Sequence, residues 1–202
     1  NISWTEFSQK VMMAARAMSE IGIKPGDNIG IYSQNMPQYL YTDFGAYANR
    51  AVMVPLYATS SPSQVEYIVD DAKLKYIFVG EQFQYNNGYL VQKESNVLEK
   101  MIIFDRKVVI KSDDTTSIYF DDFIVSGENS NAIAVVNVRL KQLRDTDLAT
   151  IIYTSGTTGE SKGVMLTHSN YLSAMKIHDI RLTRCSDKDV SMCFLPLTHI
   201  FE

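Results

Sequence analysis

The run Tyr153-Thr154-Ser155-Gly156-Thr157-Thr158-Gly159-Glu160-Ser161-Lys162-Gly163 decides how this 202-residue chain is read. Apolar residues at 148–152 precede it and read as a short buried strand. Val164, Met165 and Leu166 follow and read as a second buried strand. Between them lies a loop of glycines, hydroxyls and one lysine. Gly156, Gly159 and Gly163 open backbone conformations closed to other residues, so amide N–H groups can converge on an anion. Thr154, Ser155, Thr157 and Thr158 add hydroxyl donors, and Lys162 adds a compact positive charge. This chemistry suits a polyphosphate. The alternative is a flexible surface hairpin, against which the density of hydroxyl and glycine positions ending in a lysine argues.

Spacing excludes two other phosphate loops. The nucleotide-hydrolase loop needs Gly-Lys-Ser/Thr after four free positions, whereas here Ser161 precedes the lysine and Gly163 follows it. The dinucleotide fingerprint runs into a helix. Here Gly156-Thr-Thr-Gly159 leads toward an apolar, β-branched run.

Working outward to the amino-terminal side, Ser3 and Glu6 fit a capping box, and Phe7, Val11, Ala14, Ala15 and Met18 recur at helical spacing up to Gly22. Lys24-Pro25-Gly26-Asp27 reads as a turn and 28–33 as a buried strand. Asn35 is the expected cap of a helix with Pro37 in its first turn, reaching about Arg50, and 51–56 is the next strand. Tyr32, Tyr39, Tyr41, Tyr47 and Tyr57 read as packing residues. Ser61, Pro62 and Gln64 start another helix, with Val65, Ile68, Val69 and Ala72 on one face. Glu66, Asp70 and Asp71 on that helix read as a solvated face rather than a metal cluster, and Lys73 and Lys75 as surface residues. Residues 75–80 predict a strand, 81–99 a helix, 101–104 a strand and 108–110 a further strand. A surface excursion is expected over 112–131, with an amphipathic segment only at 118–125; 131–143 fits helix or strand. On the carboxy-terminal side His168 and Ser169 read as caps of a helix over 171–178, with His178 at the surface. The alternation predicts an α/β fold, a mainly parallel sheet flanked by helices.

Tyr153 to Gly163, continued through Val164-Met165-Leu166-Thr167-His168-Ser169-Asn170, resembles the phosphate-loop signature of the adenylate-forming superfamily, the AMP-binding enzymes. Ser161 stands where that family usually has proline, which loosens the loop without removing a ligand. Pro55-Leu56-Tyr57-Ala58-Thr59-Ser60-Ser61-Pro62, with Gln64, Tyr67-Ile68 and Asp71-Ala72, is similar to the early segment of acyl-CoA synthetases. Phe194-Leu195-Pro196-Leu197-Thr198-His199-Ile200-Phe201-Glu202 resembles a segment of long-chain fatty acyl-CoA synthetases more than one of amino-acid-activating domains. The resemblance implies ATP, Mg2+ and coenzyme A, and activation of a fatty acid to acyl-adenylate and then acyl-CoA. It implies that residues 1–202 are part of the large amino-terminal domain, the remainder of that domain and a carboxy-terminal domain lying outside them. Both ends of the sequence read as interior segments of a longer chain, so the isolated 202 residues are expected to be inactive.

Under this reading Ser155, Gly156, Thr157, Thr158, Gly159 and Lys162 hold the β- and γ-phosphates, with Thr157, Thr158 and Lys162 stabilising the charge that builds on departing pyrophosphate. Resemblance makes Thr154 one oxygen ligand of magnesium; the alternative is a plain strand-end hydroxyl. Resemblance also puts His199 near the acyl-adenylate, with no proton-transfer role assigned; the alternative is a histidine packed at a strand terminus. Two other functions stay open: an adenylation domain for amino or aryl acids, and a non-catalytic polyphosphate-binding domain.

Composition sets the outer bounds. A net charge of −4 gives no electrostatic footprint for nucleic acid. No apolar run approaches a membrane span, so membrane contact is expected to be peripheral at most. Cys185 and Cys193 lack metal-site spacing and suggest reduced thiols in a cytoplasmic setting. Oligomeric state leaves no signal in the sequence.

Overall fold

The computed structural model describes residues 1–128, 130–154, 161–181, 186, 188–190, 192, 193 and 195–198. Helix α1 spans Trp4–Glu20 and begins with the capping box read from the sequence. The Ser3 hydroxyl accepts the Glu6 N–H at 3.2 Å, and the Glu6 carboxylate accepts the Ser3 N–H at 2.8 Å. Each such reciprocal cap satisfies two otherwise orphaned donors. Strand β1 (Asn28–Tyr32), α2 (Pro37–Ala48), β2 (Val52–Leu56), α3 (Pro62–Asp71), β3 (Tyr76–Val79), α4 (Gln82–Glu94) and β4 (Lys100–Ile103) follow. Then come β5 (Ile118–Tyr119), α5 (Phe120–Glu128), α6 (Ile133–Lys141), β6 (Leu148–Thr154), β7 (Lys162–Thr167) and α7 (His168–Arg181).

Among the described residues the strands form one sheet in the order β5-β4-β3-β1-β2-β6-β7. Every pair is parallel except β6–β7, which is antiparallel. Strand period two sends alternate side chains to opposite faces. Ile29, Ile31, Met53, Phe78 and Ile102 pack with α1, α2 and α5. Tyr32, Val54, Leu56, Ile77, Val79 and Met101 pack with α3 and α4 on the other face. Helices on both faces are what parallel strands with near-continuous apolar sequence require.

Several expectations are corrected. Residues 112–131 are not a surface excursion: β5 and α5 lie there, and Phe120 and Phe123 are 1% and 2% exposed. Phe78, Phe104, Phe120 and Phe123 form an aromatic cluster with ring centroids 5.4–6.4 Å apart. The polar residues around them face outward and mask this core. Helix α5 approaches α1 so closely that a Cβ on Gly127 would lie 2.1 Å from the Met13 carbonyl oxygen. Residues 108–110 form no strand; instead Gln82 accepts the Val109 N–H at 2.7 Å. The α4 helix ends at Glu94 rather than 99. Residues 131–143 resolve as helix, α6, whose Arg139 donates to the Ile23 carbonyl at 2.9 Å and so ties α6 to the loop after α1. Tyr57 is exposed, unlike the other four tyrosines grouped with it.

Hydrogen bonds from β6 and from the turn before it fasten this end of the sheet. Thr150 Oγ1 donates to the Met53 carbonyl at 2.8 Å, anchoring β6 beside β2. Arg50 donates to Asp147 from two nitrogens, at 2.8 and 3.3 Å, just before β6. The His168 and Ser169 amides donate to the Asp147 and Asp145 carbonyls, so the start of α7 is fastened to the same corner.

Candidate functional site

The antiparallel pair β6–β7 brings Thr154 directly opposite Lys162 and Tyr153 opposite Gly163. The seven residues between Thr154 and Lys162 therefore leave and return at one point. Thr154 and Lys162 are both exposed there, and among the described residues Lys162 makes no ion pair. A lysine and a threonine hydroxyl thus flank the mouth of the loop with their polar ends available. Ser155, Gly156, Thr157, Thr158 and Gly159 lie outside the described residues, as does His199.

Gly163 takes a different role from the one read in the sequence. It lies within β7 without a positive φ. A Cβ there would lie 2.8 Å from Ile151 Cγ2 and 3.4 Å from the Tyr153 ring. The glycine provides space for its cross-strand neighbours rather than a special backbone angle. Strand β7 is also not buried as expected. It is the sheet's edge, and Met165 is 64% exposed.

Helix α3 holds the base of the loop from below. Tyr67 donates its hydroxyl to the Ser161 carbonyl at 2.9 Å. The Tyr153 hydroxyl donates to the Asp71 carboxylate, and the Tyr67 and Tyr153 rings meet edge to face at 6.3 Å. Tyr67 and Asp71 stand four residues apart, so they project from the same helix face. Burial and the adjacent Asp71 carboxylate push the Tyr153 hydroxyl well above its ordinary range, keeping it a donor. Asp71 is therefore a partner of β6 and more than part of a solvated face. Glu66 and Asp70 are exposed, in line with their reading as a solvated face.

Segment 195–198, which precedes the candidate His199 in sequence, is held by the residues around the start of α2. Asn35 does not cap α2: the N-cap is Met36, with no side-chain bond. Instead the Asn35 amide donates to the Leu195 carbonyl at 2.7 Å and accepts the Leu197 N–H at 2.9 Å. Tyr39 donates to the Leu197 carbonyl at 3.3 Å. Leu197 and Thr198 then share a cavity of about 40 Å³ with Thr150 and Ile152 of β6 and with Asp43 and Tyr47 of α2. The strand that opens the loop and the segment before His199 thus meet around one small polar hollow. Asp43 lies half-buried on its wall. Withdrawal from water pushes its carboxyl up to about 7, and a hydrogen bond from Tyr47 pulls it partly back.

A larger groove of about 700 Å³ opens between α2 and α7, walled by Leu40, Phe44, Tyr47, Leu172, Met175 and Leu197. Its size suits a small-molecule substrate. His168 and Ser169 are not caps: they belong to the first turn of α7, and Thr167 with Asn170 forms the cap. The His168 ring packs edge-on against Tyr47 at 5.1 Å, and burial lowers its pKa. His178 is exposed, as read.

Sequence reading missed Asn35, Tyr39, Tyr67 and the Asp71–Tyr153 bond. The i, i+4 placement of Tyr67 and Asp71 was available as a signal; the partners of Asn35, some 160 residues away, were not.

Residues 1–202 match the AMP-binding enzyme family throughout. The chain is 29% identical to a probable CoA ligase, CCL6, of Humulus lupulus, covering 100% of this chain and 31% of that protein. It is 29% identical to fatty acyl-CoA synthetase A of Dictyostelium discoideum, over 98% of this chain and 30% of that one. The same identity holds with long-chain-fatty-acid–CoA ligase 1 of Homo sapiens, over 98% and 30%. The chain thus spans 30–31% of the length of these relatives. The fold is shared with ATP-bound MatB from Rhodopseudomonas palustris, at a TM-score of 0.72 and 20% identity, covering 98% of this chain and 36% of that one. It is shared too with the anthranilate CoA ligase AuaEII in complex with anthranoyl-AMP, at 0.70 and 21%, covering 85% and 31%. With a seven-stranded, mainly parallel α/β sheet among its described residues, a glycine- and threonine-rich sequence between β6 and β7 and a family match over its whole length, the chain belongs to the AMP-binding enzymes.

Proposed function

We propose that this chain carries the polyphosphate-gripping part of an ATP-dependent ligase that activates a long-chain fatty acid to its adenylate and then to its coenzyme A thioester. The observation that carries the reading is the pairing of Thr154 with Lys162 across β6–β7, which gathers a hydroxyl and a cation at the mouth of a glycine-threonine loop. The residues belong to the amino-terminal part of a larger nucleotide-binding domain.

In the reaction a carboxylate oxygen bonds to the α-phosphorus of ATP, the bond from that phosphorus to the bridging oxygen breaks, and pyrophosphate leaves. Coenzyme A sulfur then bonds to the acyl carbon and AMP leaves. Negative charge grows on pyrophosphate in the first step. Lys162, the Thr157 and Thr158 hydroxyls and the amides of Ser155, Gly156 and Gly159 receive that charge. The exposed Thr154 hydroxyl fits a single oxygen ligand for magnesium, which keeps most of its waters and neutralises phosphate charge when bound. The segment before His199, held against β6, sets the acid side of the site. The apolar walls of the groove between α2 and α7 support an acyl substrate over a polar one.

The test is ATP–pyrophosphate exchange by the full-length protein with a panel of carboxylic acids. Exchange driven by long-chain fatty acids is the expected result. Exchange driven only by amino or aryl acids would replace the substrate assignment, and binding of ATP without any exchange would leave a non-catalytic phosphate binder.

A further inference from the structure

We propose that Asn35 is a positioning residue for the acid side of this site, acting through the backbone of residues 195–197. The inference rests on the adenylation reading above. A polar side chain just ahead of a helix ordinarily caps it. Asn35 does not, and α2 begins without any side-chain cap. Both ends of its amide are committed elsewhere, as donor to the Leu195 carbonyl at 2.7 Å and as acceptor of the Leu197 N–H at 2.9 Å.

Two bonds from one planar amide to residues i and i+2 fix both the height and the orientation of an extended segment, as a neighbouring strand would. Pro196 lies between the two contacted residues and offers no N–H, so the segment cannot complete an ordinary ladder there. Tyr39, in the first turns of α2 and 4% exposed, adds a third bond to the Leu197 carbonyl. Thr198 is 4% exposed on the wall of the polar cavity, against Thr150 and Ile152 of β6. Residues 195–198 are therefore clamped from Asn35 and α2 on one side and seated against β6 on the other. Asn35 touches neither ATP nor acid in this account; it fixes Leu197, which lines both the polar cavity and the apolar groove between α2 and α7.

The experiment uses the full-length protein and the Asn35→Ala and Asn35→Asp variants, followed by palmitate-dependent ATP–pyrophosphate exchange and by amide hydrogen exchange. Loss of a bidentate backbone clamp should raise the palmitate KM of Asn35→Ala about tenfold while the ATP KM stays within about twofold. The Leu197 amide should exchange at least about tenfold faster, with β1–β4 unchanged. Asn35→Asp keeps the acceptor for the Leu197 N–H and loses the donor, so its palmitate KM should fall between the two. An unchanged palmitate KM overturns the inference. So does a parallel rise in both KM values, or loss of protection throughout β1–β4, since either marks a general structural role. Absence of acid-dependent exchange in the unsubstituted protein would instead remove the adenylation reading, and Leu197 protection would still report whether the clamp exists.

Discussion

The strands β3, β1 and β2 carry buried side chains on both faces, whereas β7 and α7 keep Val164, Met165, Leu172, Met175 and Ile180 exposed. The first region is held by apolar packing from helices on both sides. The second is held by the ladder to β6 and by the His168 and Ser169 amides on the Asp147 and Asp145 carbonyls, and β6 is in turn fastened by directed bonds from Thr150 to Met53, Tyr153 to Asp71 and, at its foot, Arg50 to Asp147. The exposed Thr154 and Lys162 lie at this edge, where β6 ends and β7 begins. The difference teaches that a rigid apolar centre carries an exposed edge, and the residues proposed to grip ATP lie at that edge, where side chains reach solvent.

Substitutions should separate the two regions. Phe120→Ala removes a fully buried ring from the aromatic cluster and should cost about 3–5 kcal/mol in urea unfolding, with the ATP KM of the surviving folded protein unchanged. A loss under about 1 kcal/mol would mean that α5 is not part of the core.

Asp43 gives the next effect. Its carboxyl is raised from 3.8 to about 7 by burial, so the folded state binds its proton more tightly than the unfolded chain. Its contribution to stability is complete below about pH 4 and is lost as pH rises toward 7. Tyr39, Tyr47 and Tyr171 are pushed upward and stay neutral in this window. His168, lowered by burial, works in the opposite sense and loses stability as pH falls through its ordinary 6.5. The comparison with Asp43→Asn isolates the carboxyl. Between pH 5 and 8 the unsubstituted protein should lose about 2 kcal/mol more than the variant. Equal pH dependence would place Asp43 in contact with water.

The smallest effect lies at the base of the loop. Tyr67→Phe removes one hydroxyl bond to the Ser161 carbonyl, worth about 1 kcal/mol. The expected result is a roughly fivefold rise in the ATP KM with little change in the urea midpoint. An unaltered ATP KM would show that α3 does not steady the loop.

What was legible in the sequence follows the same division. Helices α1 and α3 announce themselves because a capping box needs only residues three apart. The mainly parallel sheet of the centre follows from alternating strand and helix signals, whereas the order of its strands does not. Helix α5 was hidden because Phe120, Phe123 and Ile124 sit among aspartates and serines, and only packing against α1 and β3 shows which face is buried. Asn35 was misassigned because a local cap and a long-range backbone clamp use the same residue type in the same place. Strand β7 looked buried because its apolar run carries no mark of lying at an edge. The proposed phosphate-binding role rests on glycine, hydroxyl and lysine content, which is local; the contacts of Tyr67 with Ser161 and of Asp71 with Tyr153 depend on partners 94 and 82 residues away.

The claim that the loop grips the tail of ATP is tested most directly by Lys162→Ala in the full-length protein, with fatty-acid-dependent pyrophosphate exchange as the measurement. Lys162 is exposed and unpaired among the described residues, so folding should be untouched and the urea midpoint unchanged. Exchange should fall by about 10²-fold or more, the size of effect seen when one preorganised charge-stabilising donor is removed. Exchange at the unsubstituted rate with saturating behaviour in ATP preserved would contradict it.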